Sequence, residues 1–303
     1  MPARARYLLA EWPTWLLLIL IYSSWLALAL WARTLNPWFW HGAMTLVVTW
    51  YMSLQHELLH GHPTRSARVN RWLGLAPLAV WYPYDLYRHT HLAHHREDHL
   101  TYPGIDPESN YLAPAVFDRL PWLLQPAQRA SRTAPGRIVI GPLLSVVALA
   151  RQAVAALWRG PARLRRLWAW HGLSVLALLL WLDLACGISA WRYLLGVAWP
   201  ALGLAMLRSL YEHRPAAVPA HRVVINEAGW FWRLLYLNNN YHAVHHAHPA
   251  LPWYRLATVY HEDRAGYLFR NGGFLIPGYG YLLRRHALTP VDPPVYPALR
   301  VGV

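Results

Sequence analysis

Three short stretches concentrate imidazole side chains: His56-Glu57-Leu58-Leu59-His60, His91-Leu92-Ala93-His94-His95 and His242-Ala243-Val244-His245-His246. Within each, histidines lie three or four residues apart, which on a helix puts them on one face and lets them converge on a common ion. Imidazole is the commonest metal-ligating side chain. A single histidine of this kind is more often hydrogen-bonded structure than ligand, but three clusters at ligand spacing point to a metal centre. A ninth candidate, His213, stands alone in Arg208-Ser209-Leu210-Tyr211-Glu212-His213-Arg214. Nine imidazoles exceed the roughly four ligands of one structural zinc, so two ions are the natural count. Imidazole suits iron, copper, zinc and nickel alike, so ligand type does not choose the metal. Cys186 is the only cysteine, which excludes disulfide frameworks, cysteine-based zinc sites and iron–sulfur clusters.

The elements that must position these side chains read as membrane helices. Of 303 residues, 56% are hydrophobic and 14% charged, about half the charged share of an average soluble protein, and the 19 tryptophans suit apolar–water boundaries. Trp12 to Trp31 is an uncharged run of twenty residues, longer than a signal-peptide core and long enough to cross roughly 30 Å of hydrocarbon. Arg4 and Arg6 precede it. A second span, Pro37 to Gln55, leads directly into His56; Arg33, Asn36 and Pro37 form the turn between the two. The third span is Trp168 to Cys186 and the fourth Tyr193 to Leu210, joined by a turn at Gly187 to Ser189. Two further runs read as too short to cross: Trp72 to Tyr84, interrupted by Pro77 and Pro83, and the thirteen residues Ile138 to Ala150.

Two hairpins return the chain to one side each time. All arginines but Arg33 and Arg192 then fall on that side, which marks it as cytoplasmic. Lysine is absent, and the formal charge of +14 forms no basic stripe around a reading motif, so nucleic acid is not an expected partner. The expected fold is an all-α integral membrane protein, one domain over 1–303, with about four transmembrane helices in two hairpins. A cytoplasmic helical cap carries the histidine clusters. Asn238 to Asn240 would cap a helix holding the third cluster, ended by Pro249 and Pro252.

The order HxxxH, HxxHH, lone His, HxxHH is similar to that of the membrane fatty-acid desaturase and hydroxylase superfamily, and the resemblance spans about Trp12 to Pro252. It carries the family's ligand positions onto His56, His60, His91, His94, His95, His213, His242, His245 and His246. It implies two non-haem irons, O2 as co-substrate, a lipid-like substrate, and electrons from a separate carrier such as a ferredoxin or rubredoxin with its reductase. Gln55-His56-Glu57, Gly61-His62-Pro63 and Asn238-Asn239-Asn240-Tyr241-His242 look closest to short bacterial members, including hydrocarbon oxygenases associated with rhizopine breakdown. That implies a bacterial inner membrane. One position departs: where acyl-CoA desaturases place an asparagine one turn before the lone histidine, this chain has Ser209.

No Gly-rich dinucleotide motif sits in a strand–helix setting, so reducing equivalents are expected from outside the chain. The arginine-rich face would suit an acidic carrier, or contact with anionic lipid. Glu57 and Glu212 are candidates for orienting ligating histidines, or for solvated surface. His62, His89, His248 and His261 read as structural neighbours of the clusters, and Asp183 as an acid snorkelling to the outer interface. A competing reading takes His56-Glu57-Leu58-Leu59-His60 as the HExxH motif of a membrane zinc protease, with Glu57 as general base, and leaves the other clusters unexplained. A metal transporter would place its site nearer the membrane midplane.

Overall fold

A computed structural model describes residues 11–297 and is mostly helical; Arg4 and Arg6 lie outside the described residues. The chain divides into two compact units, Met1–Arg88 with Pro142–Ala205, and His89–Gly141 with Met206–Val303.

The first unit is built on α1 (Trp12–Leu30) and α2 (Pro37–Leu59), which pack against each other, with α3 (Ala67–Gly74) against α2. Asn36 starts α2 as the sequence suggests. Its side chain accepts from the Trp38 and Phe39 amides at 3.0 and 3.3 Å, and Pro37 occupies the first turn, where a missing N–H costs nothing. Polar atoms buried among the helices find partners. Trp40 Nε1 donates to Leu28 O at 2.8 Å, and Trp25 Nε1 to the Tyr193 hydroxyl at 3.0 Å. Tyr51 and Gln55, one turn before the first histidine cluster, both donate to Gly74 O, at 2.7 and 2.9 Å. The last turns of α2 are thereby fastened to the C-terminal end of α3.

Three more long helices follow: α7 (Ala134–Arg159), α8 (Ala162–Cys186) and α9 (Ala190–Tyr211), after the short α4 (Tyr84–His94), α5 (Pro114–Asp118) and α6 (Leu124–Ala130). Gly187 ends α8 with φ of 69°, its amide bonding Asp183 O while the Ile188 amide reaches back to Leu182 O. Both Ile188 and Leu182 are buried, which completes the apolar contact that accompanies such a terminus. Ser189 then caps α9 by accepting from the Arg192 amide. A π-helical turn, Leu194–Ala198, interrupts α9, and there Gly196 O bonds His41 Nδ1 at 3.0 Å. A Cβ on Gly196 would fall 2.5 Å from the His41 ring.

Four helices are long and apolar enough to cross a membrane: α1, α7, α8 and α9. This corrects the reading of Ile138 to Ala150 as too short. The run lies inside a 26-residue helix that continues past Arg137 and Arg151, the charges bounding the run, and accommodates Pro142 within it. Conversely α2, although 23 residues long, is not among the four. Its apolar run is diluted by His41, several aromatics and the Gln55-His56-Glu57 end. Trp72 to Tyr84 contains no helix of crossing length.

The second unit contains α10 (Trp230–Leu235), α11 (His242–Ala247), α12 (Trp253–Glu262), α13 (Arg264–Arg270) and α14 (Tyr279–Arg285). A two-residue parallel pair, β1 (Ile225–Asn226) and β2 (Leu275–Ile276), has Ile225 opposite Leu275. Ile225, Tyr241, Val244, Leu256 and Tyr260 form a buried cluster under α11. The segment after α14 is stitched along this unit: Val291 N donates to Arg132 O, Leu112 N to Pro294 O, and Tyr296 N to Leu112 O. Asp292 within it accepts from Tyr111 and from Arg132, whose Nε lies at 2.9 Å.

Candidate metal-binding site

In the second unit, His91 and His94 lie on α4 and His95 follows it. His213 lies two residues beyond α9, and α11 carries His242, His245 and His246. These seven histidines sort into two groups. In the first, one nitrogen from each of His94, His213, His242 and His246 lies within 4.8 Å of the others. His213 Nε2 is 3.1 Å from His94 Nε2 and 3.0 Å from His242 Nε2. In the second group, His95 Nε2 is 3.1 Å from His91 Nε2 and 3.0 Å from His245 Nε2. His56 and His60 belong to the other unit, at the end of α2, with ring centroids 4.8 Å apart.

The spacing of these nitrogens tests whether the groups fit a metal. An imidazole nitrogen offers either one hydrogen or one lone pair. His213 Nε2 can therefore satisfy one of its two neighbours as a hydrogen bond, not both, and the same holds for His95 Nε2. Nitrogens bound to one ion at ~2.1 Å and at right angles lie ~3.0 Å apart. The donor set fits a cation in each group. His246 Nε2, buried with no hydrogen-bond partner, agrees with that.

Carboxylates fix which nitrogen faces inward. His94 Nδ1–H donates to Asp106 Oδ1 at 2.8 Å, and His91 Nδ1–H lies 3.0 Å from both oxygens of Glu108. A carboxylate only accepts, so in each ring the remaining Nε2 presents its lone pair. Burial pushes the pKa of His91, His213, His242 and His246 well below the ordinary histidine value, and that of His95 down to about 3. These rings are held neutral, the state that ligates. At His94 burial is again the largest influence and opposes charge, but the Asp106 hydrogen bond together with the charges of Glu108, Asp106 and Glu212 outweighs it, and the pKa rises. For Asp106 burial is likewise outweighed, by His94 and by the Thr101 and Glu108 amides, so its carboxyl is held below the usual range.

Several expectations change here. Asn238 to Asn240 do not cap α11: Tyr241 stands at its start and no side chain caps it. Asn238 adopts a positive φ of 55° and donates to Trp253 O, while Asn240 donates to Asn226 O. Asn239 does the site's work, its Oδ1 lying 3.3 Å from His242 Nδ1. Glu57 and Glu212 are buried rather than solvated; Glu57 lies 3.7 Å from His56 Nδ1, and Glu212 3.8 Å from His242 Nδ1. His62 is tied to Glu11 at 2.9 Å, and His89, His248, His261 and Asp183 are exposed. Ser209 accepts from Arg137 Nη2 at 3.1 Å, and the same nitrogen reaches Asn110 Oδ1 at 2.7 Å. Asp106 and Glu108 carried no signal by periodicity. The one hint was acidic residues soon after a histidine cluster in a chain with only 14 acids.

No curated protein matches the chain. A family model does, over residues 35–275, a stretch that runs from just before α2 to the first residue of β2 and takes in all nine candidate histidines. Its description is fatty acid desaturase, and the order and pairing of histidines described above accord with it: the chain belongs to the fatty acid desaturase family, whose members are membrane oxidoreductases of the desaturase and hydroxylase type.

Proposed function

We propose that the chain is an O2-dependent di-iron oxidoreductase that desaturates or hydroxylates an apolar, lipid-like substrate such as a fatty acyl or hydrocarbon chain. The observation that carries this reading is the doubled pattern of Nε2 atoms, each with two neighbours at 3.0–3.1 Å. Two ions account for both. The proposed ligands are His94, His213, His242 and His246 for one, and His91, His95 and His245 for the other. His56 and His60 are proposed as further ligands on the family resemblance alone. Between His60 and His91 no described helix is long enough to cross a membrane.

When bound, a pair of irons supplies the O2 chemistry that removes hydrogen from an unactivated C–H bond. The chain's own residues hold and orient. Asp106, Glu108 and Asn239 set the imidazole tautomers, and burial of His91, His94, His242 and His245 to within 2% exposure keeps water from the centre. Electrons would come from a separate ferredoxin- or rubredoxin-like carrier with its reductase. Its approach to an arginine-rich cytoplasmic face would weaken as salt rises. Both termini and the centre would then be cytoplasmic, in a bacterial inner membrane.

The test compares three substitutions in the purified chain. Replacing His213 or His245 by Ala should lower bound iron and abolish product. Glu57→Gln should be impaired but keep iron-dependent turnover, because losing a residue that only orients a ligand costs about 10–100-fold. A chain holding a single zinc, silenced by Glu57→Gln and indifferent to His245→Ala, is instead an HExxH protease.

A further inference from the structure

Asp106 and Glu108 lie two residues apart in the turn that follows the second histidine cluster, and each addresses a different group of ligands. Asp106 bonds His94 Nδ1 at 2.8 Å, and Glu108 contacts His91 Nδ1 at 3.0 Å. The two carboxylates differ in how firmly they are held. Asp106 accepts from the Thr101 amide at 2.8 Å and from the Glu108 amide at 2.9 Å, and Ser109 Oγ, donating to Thr101 O at 2.6 Å, closes the same turn. Its side chain is 1% exposed, whereas that of Glu108 is 29% exposed. Water can therefore compete for Glu108 but not for Asp106.

We infer that this turn is a paired positioning device with one carboxylate for each metal position. Asp106 orients His94 for the position shared with His213, His242 and His246. Glu108 orients His91 for the position shared with His95 and His245. The Glu108 position is the more labile of the two, so metal leaves it first. The inference rests on the two-ion reading above and adds an assignment and an order of release. Neither acid touches the ion in this scheme. Each acts through an imidazole, by fixing its tautomer and ring orientation and raising its basicity.

The full chain, purified in detergent and loaded with iron-57(II) alone, would be followed by iron count and Mössbauer spectroscopy during titration with a chelator. Wild type is expected to hold two ions with two quadrupole doublets, one of which fades first. Glu108→Gln should weaken retention of that first doublet by about 10–100-fold and leave the other unchanged. Asp106→Asn should do the converse. If both variants weaken the same doublet, or if both retain iron as wild type does, the assignment is wrong. If Asp106→Asn does not fold, Glu108→Gln decides alone, since its side chain is partly exposed. Loss of only the early doublet supports the inference; loss of neither, of both together, or of the late one overturns it. A wild type holding fewer than two ions overturns this assignment together with the two-ion reading, which separates that failure from the others.

Discussion

At the scale of single residues, buried charge is what the second unit must manage. Arg132 is 2% exposed, and Asp292 is its carboxylate partner. Taking away one member of such a pair leaves an uncompensated ion in a low dielectric, which typically costs ~3–5 kcal/mol. Asp292→Asn should therefore lower stability by about 3 kcal/mol, read as a fall in the thermal unfolding midpoint in detergent. A change within about 0.5 kcal/mol would show that Arg132 finds water instead. The same concern explains what the sequence did and did not disclose about the site. Candidate ligands announce themselves because helix periodicity forces His91, His94 and His95, or His242, His245 and His246, into fixed spacings. Their orienting partners lie in turns, where no period operates. Asp106, Glu108 and Asn239 reach imidazoles 12, 17 and 3 residues away along the chain, and only folding brings the first two into range.

At the scale of elements, the ends of helices were more legible than their extents. Asn36-Pro37 before α2 and Gly187 after α8 carry the chemistry of a start and a stop, and the structure uses both as such. The extent of α7 was not legible, because Arg137 and Arg151 bound the apolar run but not the helix. Gly187 offers a direct check on the terminus it makes. At φ of 69°, an added Cβ meets the Arg33 guanidinium at 2.3 Å as well as its own backbone strain. The side chain can swing away, so the lasting cost is the left-handed conformation, about 1–2 kcal/mol for a residue with a Cβ. Gly187→Ala should be destabilised by that amount in denaturant unfolding. Gly187→Asn, which tolerates the conformation better, should recover part of it.

At the scale of the whole molecule, the histidine contacts constrain how the chain passes through the bilayer. His94 precedes α7, α8 and α9, and His213 follows them, yet their Nε2 atoms lie 3.1 Å apart. Two side chains in contact are on the same side, so the number of complete crossings between them is even. Three helices of sufficient length lie in that interval, and all three cannot cross. If the hairpin of α8 and α9 around Gly187, the pair with a short, well-capped turn, is the one that crosses, α7 would lie at the interface although it is long enough to span. Reporter fusions near Arg132 and Gly160 should then report the same side, and fusions near Ser189 the opposite one. Opposite signals at Arg132 and Gly160 would require α8 or α9 to remain uncrossed instead.

On the metal-binding reading, the close approach of ring nitrogens has a meaning for the life of the protein apart from its chemistry. Without a cation one of the two contacts at His213 Nε2 and at His95 Nε2 is left unsatisfied, and a cation satisfies both, so folding of the second unit and uptake of metal would be one coupled equilibrium. Free metal at 100 times its dissociation constant adds about 2.7 kcal/mol per site, a large share of a domain's total stability. Heat resistance thus becomes a gauge of occupancy: stripping the ions with a chelator should lower the unfolding temperature, and returning them should restore it. In a cell short of metal, the empty chain would visit unfolded states more often and fall to proteases sooner. Scarcity would reduce the amount of protein before it limited the turnover of what remained.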